Sequence, residues 1–327
     1  MKVKEIQPGG RITGKFAVIE KIQIKDYRIK KGKYFILRVG DDTGEVLLKY
    51  WGNGETEKVE TLYSGIDEGC VIDVDGVCVI DEYTGKRAIS VDVDAGHGLR
   101  VVDPSEYEKK EFLPRAGASS QDLIARFNSL IKRISNPHIK AILSEVLDEE
   151  RIKRFVESPC TIRHNHSYLG GLIEHTVNIG EICCLIHKHY PDLDLDLMIA
   201  GALLRNIGKV YEFDLSTTIE RNDKGNLIGH AVISDEILID SAKNIPDIPE
   251  DLILKLRHII LSSGRKDWGT LVPPKIPEAM AVYLAEQLDI MLNTFIRIHG
   301  EAFRSGERWI YSRELGYTVF ARGGDEV

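Results

Sequence analysis

The chain has 327 residues, 43 Lys+Arg against 51 Asp+Glu, a formal net charge of -8, and 43% hydrophobic residues. That length suits two domains, each able to bury its own core, and ordinary counts of Gly (29) and Pro (11) exclude a collagen-like or wholly disordered chain. No apolar stretch approaches the roughly 20 residues of a membrane span, and no apolar leader follows Met1, so a cytoplasmic location with no membrane partner is expected.

From Gly10 to Asp94 the pattern is short, alternating and punctuated by turns. Phe16 to Ile24, Tyr34 to Val39, Val46 to Trp51, Val71 to Ile80 and Ala88 to Val93 read as strands. Lys31-Gly32, Asp42-Thr43-Gly44 and Tyr83-Thr84-Gly85 read as the turns between them. Five strands in so short a span predict a small barrel. Its first hairpin sets Lys21, Lys25, Arg28, Lys30, Lys31 and Lys33 against one acid, Asp26, with Tyr27, Tyr34 and, from the next strand, Trp51 close by. Cations track a phosphate backbone and aromatic faces stack unpaired bases, so this hairpin is the candidate nucleic-acid contact. A solubilising edge strand is the plainer reading of the same lysines.

Residues 98–118, with Pro104, Pro114 and Gly117, read as a linker. Beyond it the apolar spacing becomes helical, as in Leu123, Ile124, Phe127, Leu130 and Ile131, and further helices are predicted over 168–188, 196–208, 230–243, 249–262 and 277–297. The expected boundaries are a barrel over 1–97, a linker over 98–118, an all-helical domain over 119–315 and a tail over 316–327. Seven of the ten histidines lie between His164 and His258, which suits a metal site built between helices from imidazoles and carboxylates. The five cysteines form no CxxC pair and read as reduced thiols. Cys160, near His164 and His166, has no identifiable third group to orient a thiol nucleophile.

The barrel runs, with Asp41-Asp42-Thr43-Gly44 at a turn, resemble nucleic-acid-binding OB-folds of the tRNA-anticodon type. The stretch His166-Ser167-Tyr168-Leu169-Gly170-Gly171-Leu172-Ile173-Glu174-His175-Thr176 and the later Leu203-Leu204-Arg205-Asn206-Ile207-Gly208-Lys209 resemble the HD phosphohydrolase superfamily. With Gly229-His230, His258 to Ser262, Trp268-Gly269 and Tyr283 to Asp289, the whole is similar to the YhaM-type 3'-5' exoribonucleases. The resemblance implies a multidomain fold, an N-terminal all-β OB-fold barrel followed by a C-terminal all-α HD domain, acting on single-stranded RNA or DNA.

It also implies departures. Arg205 and Asn206 stand where the active family has its metal-bridging His-Asp pair, and Ser262-Ser263-Gly264 stands where that family has Ser-His-His-Gly. A guanidinium cannot ligate a metal, and an amide oxygen carries no charge to bridge two ions. The expectation is therefore a nucleic-acid-binding protein whose HD-site positions, His166, His175, Arg205, Asn206, His230, His258 and Asp289, no longer support two-metal hydrolysis, with no metal cofactor. Arg205 is expected to pair with Asp289. The alternatives are an exonuclease holding Mn, Mg, Fe or Zn on His175, His230, His258 and Asp289, with His166 as a further candidate ligand, and a regulator sensing a phosphorylated small molecule. A homo-oligomer through the helical domain is kept open.

The charge divides unevenly. Residues 1–115 hold 19 Lys+Arg and 21 Asp+Glu, so most of the acid excess lies beyond them. The net charge of -8 thus leaves a local cationic hairpin free to bind nucleic acid in a salt-dependent way.

Overall fold

The structure, a computed structural model, describes residues 1–82, 85–262, 272–305 and 308–320. The predicted turn residues Tyr83 and Thr84, the motif residues Ser263, Gly264, Trp268 and Gly269, and the tail beyond 320 lie outside the described residues. The chain forms two compact units, residues 1–114 with 215–219, and residues 115–214 with 220–327.

The first unit is built on β1 (Arg11–Asp26), β2 (Lys33–Asp41), β3 (Gly44–Trp51), helix α1 (Thr56–Ser64), β4 (Val71–Ile80), β5 (Arg87–Asp92) and β6 (Gly98–Val101). The strand order is β1-β2-β3-β5-β4-β6, and an additional β1–β4 pairing closes five strands into a barrel. Strand β1 is long enough to serve both neighbours. Its first half pairs with β4, from Arg11 opposite Val77 to Ala17 opposite Val71, and its second half pairs with β2, out to Asp26 opposite Lys33. Irregularities at Val18/Glu20 and Lys21/Gln23 bend it around the corner, as bulges do in small barrels. Closure is completed by the parallel pairing of β3 with β5. Alternate residues Phe16, Val18, Phe35, Leu37, Leu48, Val74 and Ile89 fill the interior with Val59 of α1.

The five strands read from the sequence are all present, with β1 extended at both ends. Two elements are additional. The polar helix α1 buries only Val59, so it leaves little apolar periodicity to read. Strand β6 falls inside the stretch expected to be linker, where it pairs with β4 from Gly98 opposite Asp75 to Val101 opposite Ile72. Its four residues are mostly exposed, which is why no alternation marks it.

The second unit contains α2 (Ser120–Arg133), α3 (Pro137–Val146), α4 (Glu149–Glu157), α5 (Gly171–His189), α6 (Leu195–Arg205), a short hairpin β7 (Phe213–Leu215) and β8 (Ile219–Arg221), α7 (Asp223–Leu227), α8 (His230–Ala242), α9 (Glu250–Leu261) and α10 (Pro277–Ser305). A final hairpin, β9 (Trp309–Ser312) with β10 (Tyr317–Phe320), crosses the expected boundary between domain and tail. Helix starts follow local chemistry: Ser119, Asn136, Asp148 and Asp194 each accept a backbone N–H of the first turn through their side chains. Helix α6 is apolar nearly all round, with every residue from Leu197 to Arg205 buried, and forms the centre of the core against α5, α9 and α10.

Candidate metal centre and nucleic-acid face

Helices α5, α6 and α10 bring the site together. On α10, Glu286, Asp289 and Asn293 recur at spacings of three and four and so share one face. On α5, His175 and Asn178 do the same. Before α5 the chain turns sharply at Gly170 (φ +82°), and a Cβ on Gly171 would lie 2.1 Å from the backbone oxygen of His166. Glycine there lets the chain fold back, and His166 itself sits in the left-handed region at φ +51°, a conformation costly for a non-glycine residue.

The result is a buried carboxylate with two imidazoles on one oxygen. Asp289 Oδ2 lies 2.8 Å from His166 Nε2 and 2.6 Å from His175 Nδ1, while its Oδ1 accepts from Asn178 Nδ2 at 2.8 Å. The backbone N–H of His166 donates to Asn293 Oδ1 at 3.1 Å, and its Nδ1 lies 2.9 Å from the Tyr168 hydroxyl, which donates to Glu174 at 2.8 Å. Burial works to protonate Asp289, but the bonds from His166 and His175 outweigh it and hold the carboxyl well below the usual carboxylate range. Burial likewise opposes charge on both imidazoles. Asp289 and Glu174 nevertheless raise His166, and Cys160 and Asp289 raise His175 well above the ordinary imidazole range.

Arg205 does not pair with Asp289. Its Nε donates to Glu286 Oε2 at 3.0 Å, and its Nη1 donates to the backbone oxygens of Ile259 and, at 2.8 Å, Ser262. Asn206 Nδ2 donates to the other oxygen of Glu286 at 3.0 Å, and His175 Nε2 lies 3.9 Å from that same oxygen. The physical reason is supply: Asp289 is already saturated by three donors from α5 and the turn before it. The deprotonated Glu286, one helical turn earlier, is the carboxylate in need of a cation. Its burial favours protonation, and the Arg205 charge followed by His175 reverses this and holds it strongly ionised.

His230 and His258 stand apart from this cluster. His230 Nδ1 lies 3.4 Å from Glu212 Oε2, in a second charged group with Lys209 and Arg221. His258 Nε2 accepts the backbone N–H of Lys275 at 2.7 Å. Of the expected ligands His175, His230, His258 and Asp289, only His175 and Asp289 meet, and their third partner is His166. These three offer donor atoms within 4.8 Å of one another, the one such group among the described residues. Cys160 is buried beside both His175 and His166: its backbone N–H donates to the His166 backbone oxygen at 2.9 Å, and the ammonium of Lys209 donates to the Cys160 backbone oxygen. Sequence reasoning misses Glu286 and Glu212 as site residues. The position of Glu286 three residues before Asp289 is the available signal.

On the barrel, Tyr34 of β2 lies opposite Trp51 of β3, and with Tyr27 they form one aromatic cluster. Ring centroids are 5.0 Å apart for Tyr34 and Trp51, 6.0 Å for Tyr27 and Trp51, and 5.4 Å for Tyr27 and Tyr34. Trp51 is fixed by its Nε1 donating to Ser90 Oγ at 3.0 Å. The Lys30 ammonium lies over the Tyr27 ring and donates to Asn53 Oδ1 at 2.6 Å. Gly32, at φ +116°, lets the hairpin close on Asn53, whose backbone oxygen a Cβ would overlap.

The six hairpin cations divide. Lys21 turns back to donate to the backbone oxygens of Tyr63 and Ile66, and Lys33 bridges Asp26 and Glu60. Lys25, Arg28 and Lys31 are exposed and, among the described residues, have no acidic partner. The cationic run is therefore half structural and half free.

The chain is similar to several known proteins. The HD domain family pattern matches residues 172–291. The chain is 30% identical over 271 residues to the 3'-5' exoribonuclease YhaM of Shouchella clausii, covering 81% of this chain and 79% of that protein. Among solved structures, a domain of replication protein A from Methanococcus maripaludis overlaps 32% of this chain and 97% of its own (22% identity, TM-score 0.25). The Pot1pC domain of Schizosaccharomyces pombe bound to single-stranded DNA overlaps 32% and 88% (17% identity, TM-score 0.26).

Proposed function

Because the chain belongs to the YhaM-like 3'-5' exoribonuclease family, with an OB-fold and an HD domain, we propose that it binds single-stranded nucleic acid, RNA in the first place, and that two-metal phosphodiester hydrolysis is lost or severely weakened in its helical domain. The observation that carries this reading is the buried Arg205–Glu286 pair. A two-metal site needs an anion shared between the ions. Here a fixed guanidinium and the neutral amide of Asn206 occupy both oxygens of Glu286, so the charge that a second cation would neutralise is already neutralised. A second ion does not fit this pocket.

A single divalent ion does fit the chemistry of His166, His175 and Asp289, since two imidazoles and a carboxylate suit Mn, Fe or Zn. Such an ion supplies Lewis-acid polarisation of a phosphoryl oxygen. The chain's own residues do the rest: Asn178 and Asn293 orient the carboxylate and the His166 backbone, and Tyr168 fixes the His166 ring. This cluster supports a second reading, a slow one-metal 3'-5' exonuclease.

Substrate binding falls to the barrel. Its aromatic cluster of Tyr27, Tyr34 and Trp51 offers ring faces for bases of any identity, and Lys25, Arg28 and Lys31 neutralise phosphates beside it.

Incubation of 5'-labelled single-stranded RNA with the full chain and Mn2+ separates the readings. The expected result is a retained full-length strand in a salt-sensitive complex. Shortening from the 3' end that disappears in Asp289→Asn would overturn the loss of hydrolysis, and two metal ions per chain by elemental analysis would overturn the pairing argument behind it.

A further inference from the structure

The outer face of α10 is used by neither reading. Between Ala279 and Ile298 every exposed position is Met280, Leu284, Leu288, Met291, Leu292 or Ile296. These side chains are 42%, 54%, 48%, 51%, 53% and 70% exposed. No Asp, Glu, Lys or Arg is exposed over that span. An ordinary surface helix does the reverse, as α4 does in exposing Glu149, Glu150, Lys153 and Arg154. The stripe runs for about 24 Å along the axis. A continuous apolar face of that length marks an interaction surface.

We infer that this face is the interface between two copies of the chain, packed antiparallel about a twofold axis at Leu288. The spacing is self-complementary. Met280 and Ile296 lie eight residues either side of Leu288, and Leu284 and Leu292 four either side. An antiparallel copy therefore sets Met280 against Ile296, Leu284 against Leu292 and Leu288 against itself, with apolar side chains at every contact and no charge buried. An isologous interface requires this reversal symmetry, and a partner of different sequence does not. The area agrees. The six side chains expose on the order of 600 Å², near the roughly 800 Å² per partner of a standard interface once flanking residues are included. Methionine is also enriched at such interfaces, and two of the chain's four methionines lie here. The inference stands independently of the hydrolysis question, since α10 turns Glu286 and Asp289 inward.

The test is the mass of the full chain by sedimentation velocity, with three variants. The wild type is expected at an even multiple of the chain mass. Leu284→Glu and Leu292→Lys, each alone, are expected to raise the dissociation constant by roughly 100-fold or more, because each buries two unpaired charges per dimer. Combined in one chain, they place glutamate against lysine across the axis twice and restore association. Both positions are exposed, so thermal melts matching the wild type show that the fold is kept. A monomeric wild type, or an assembly indifferent to both single variants, would overturn the inference.

Discussion

At the scale of single residues, the site is a problem of compensating buried charge. Glu286 and Asp289 are both buried and both ionised, and each has its own cations. Arg205→Ala removes the guanidinium that pairs with Glu286, and breaking a buried pair of this kind costs roughly 3–5 kcal/mol. We expect that loss in urea denaturation, with Arg205→Lys recovering part of it. The imidazoles make a prediction in pH. His166 and His175 are raised in the folded state, so their contribution is full below the ordinary imidazole pKa of about 6.5 and is lost as pH rises through their folded values. His230 and His258 are lowered, by burial and then by Lys209 and Lys275 respectively, so above the same pH they are neutral folded or unfolded and add no slope. The melting temperature of the metal-free protein is therefore expected to fall as pH rises above about 6.5. Asp289→Asn should flatten that slope, and an unchanged slope would contradict it. The family resemblance in the sequence pointed to His175, Asp289 and Arg205, but the pairing of Arg205 depended on which carboxylate remained unsatisfied.

At the scale of elements, two backbone turns place the functional side chains. Gly171→Ala would drive a Cβ into the His166 backbone, so the turn must open and carry His166 away from Asp289. Overpacking of this kind costs about 1–3 kcal/mol, and disappearance of the low-field ring N–H resonance of His166 in NMR would report the displacement. In the barrel hairpin, replacing Lys25, Arg28 and Lys31 with alanine should weaken single-stranded RNA binding and flatten its salt dependence by about 0.7 log unit for each phosphate no longer neutralised. Replacing Lys21 should instead lower stability with little change in salt slope, since its ammonium serves Tyr63 and Ile66. Trp51→Ala is expected to cost about 1–3 kcal/mol of binding in a fluorescence titration. Strand alternation made β1 to β5 readable, because each buries one face. The strand β6 and the helix α1 escaped, because neither buries enough to impose a period.

At the scale of the whole molecule, composition and architecture divide the labour. The residues beyond 115 hold 24 Lys+Arg against 30 Asp+Glu, whereas the barrel part is nearly balanced and concentrates its free cations on one hairpin. Deleting residues 1–114 is thus expected to abolish RNA binding in a gel-shift assay, and full affinity in the truncated chain would move the binding site to the helical unit. Among the described residues no helix is long and apolar enough to cross a membrane. The order of strands and helices, the two kinds of unit and the set of unusual residues were determined by the sequence itself, since periodicity and local turn chemistry act over a few residues. Which histidine joined Asp289, which carboxylate took Arg205, and which lysines stayed free were decided only by the tertiary structure. Those outcomes depend on donors and acceptors far apart in the chain competing for the same buried atoms, and no local spacing records that competition.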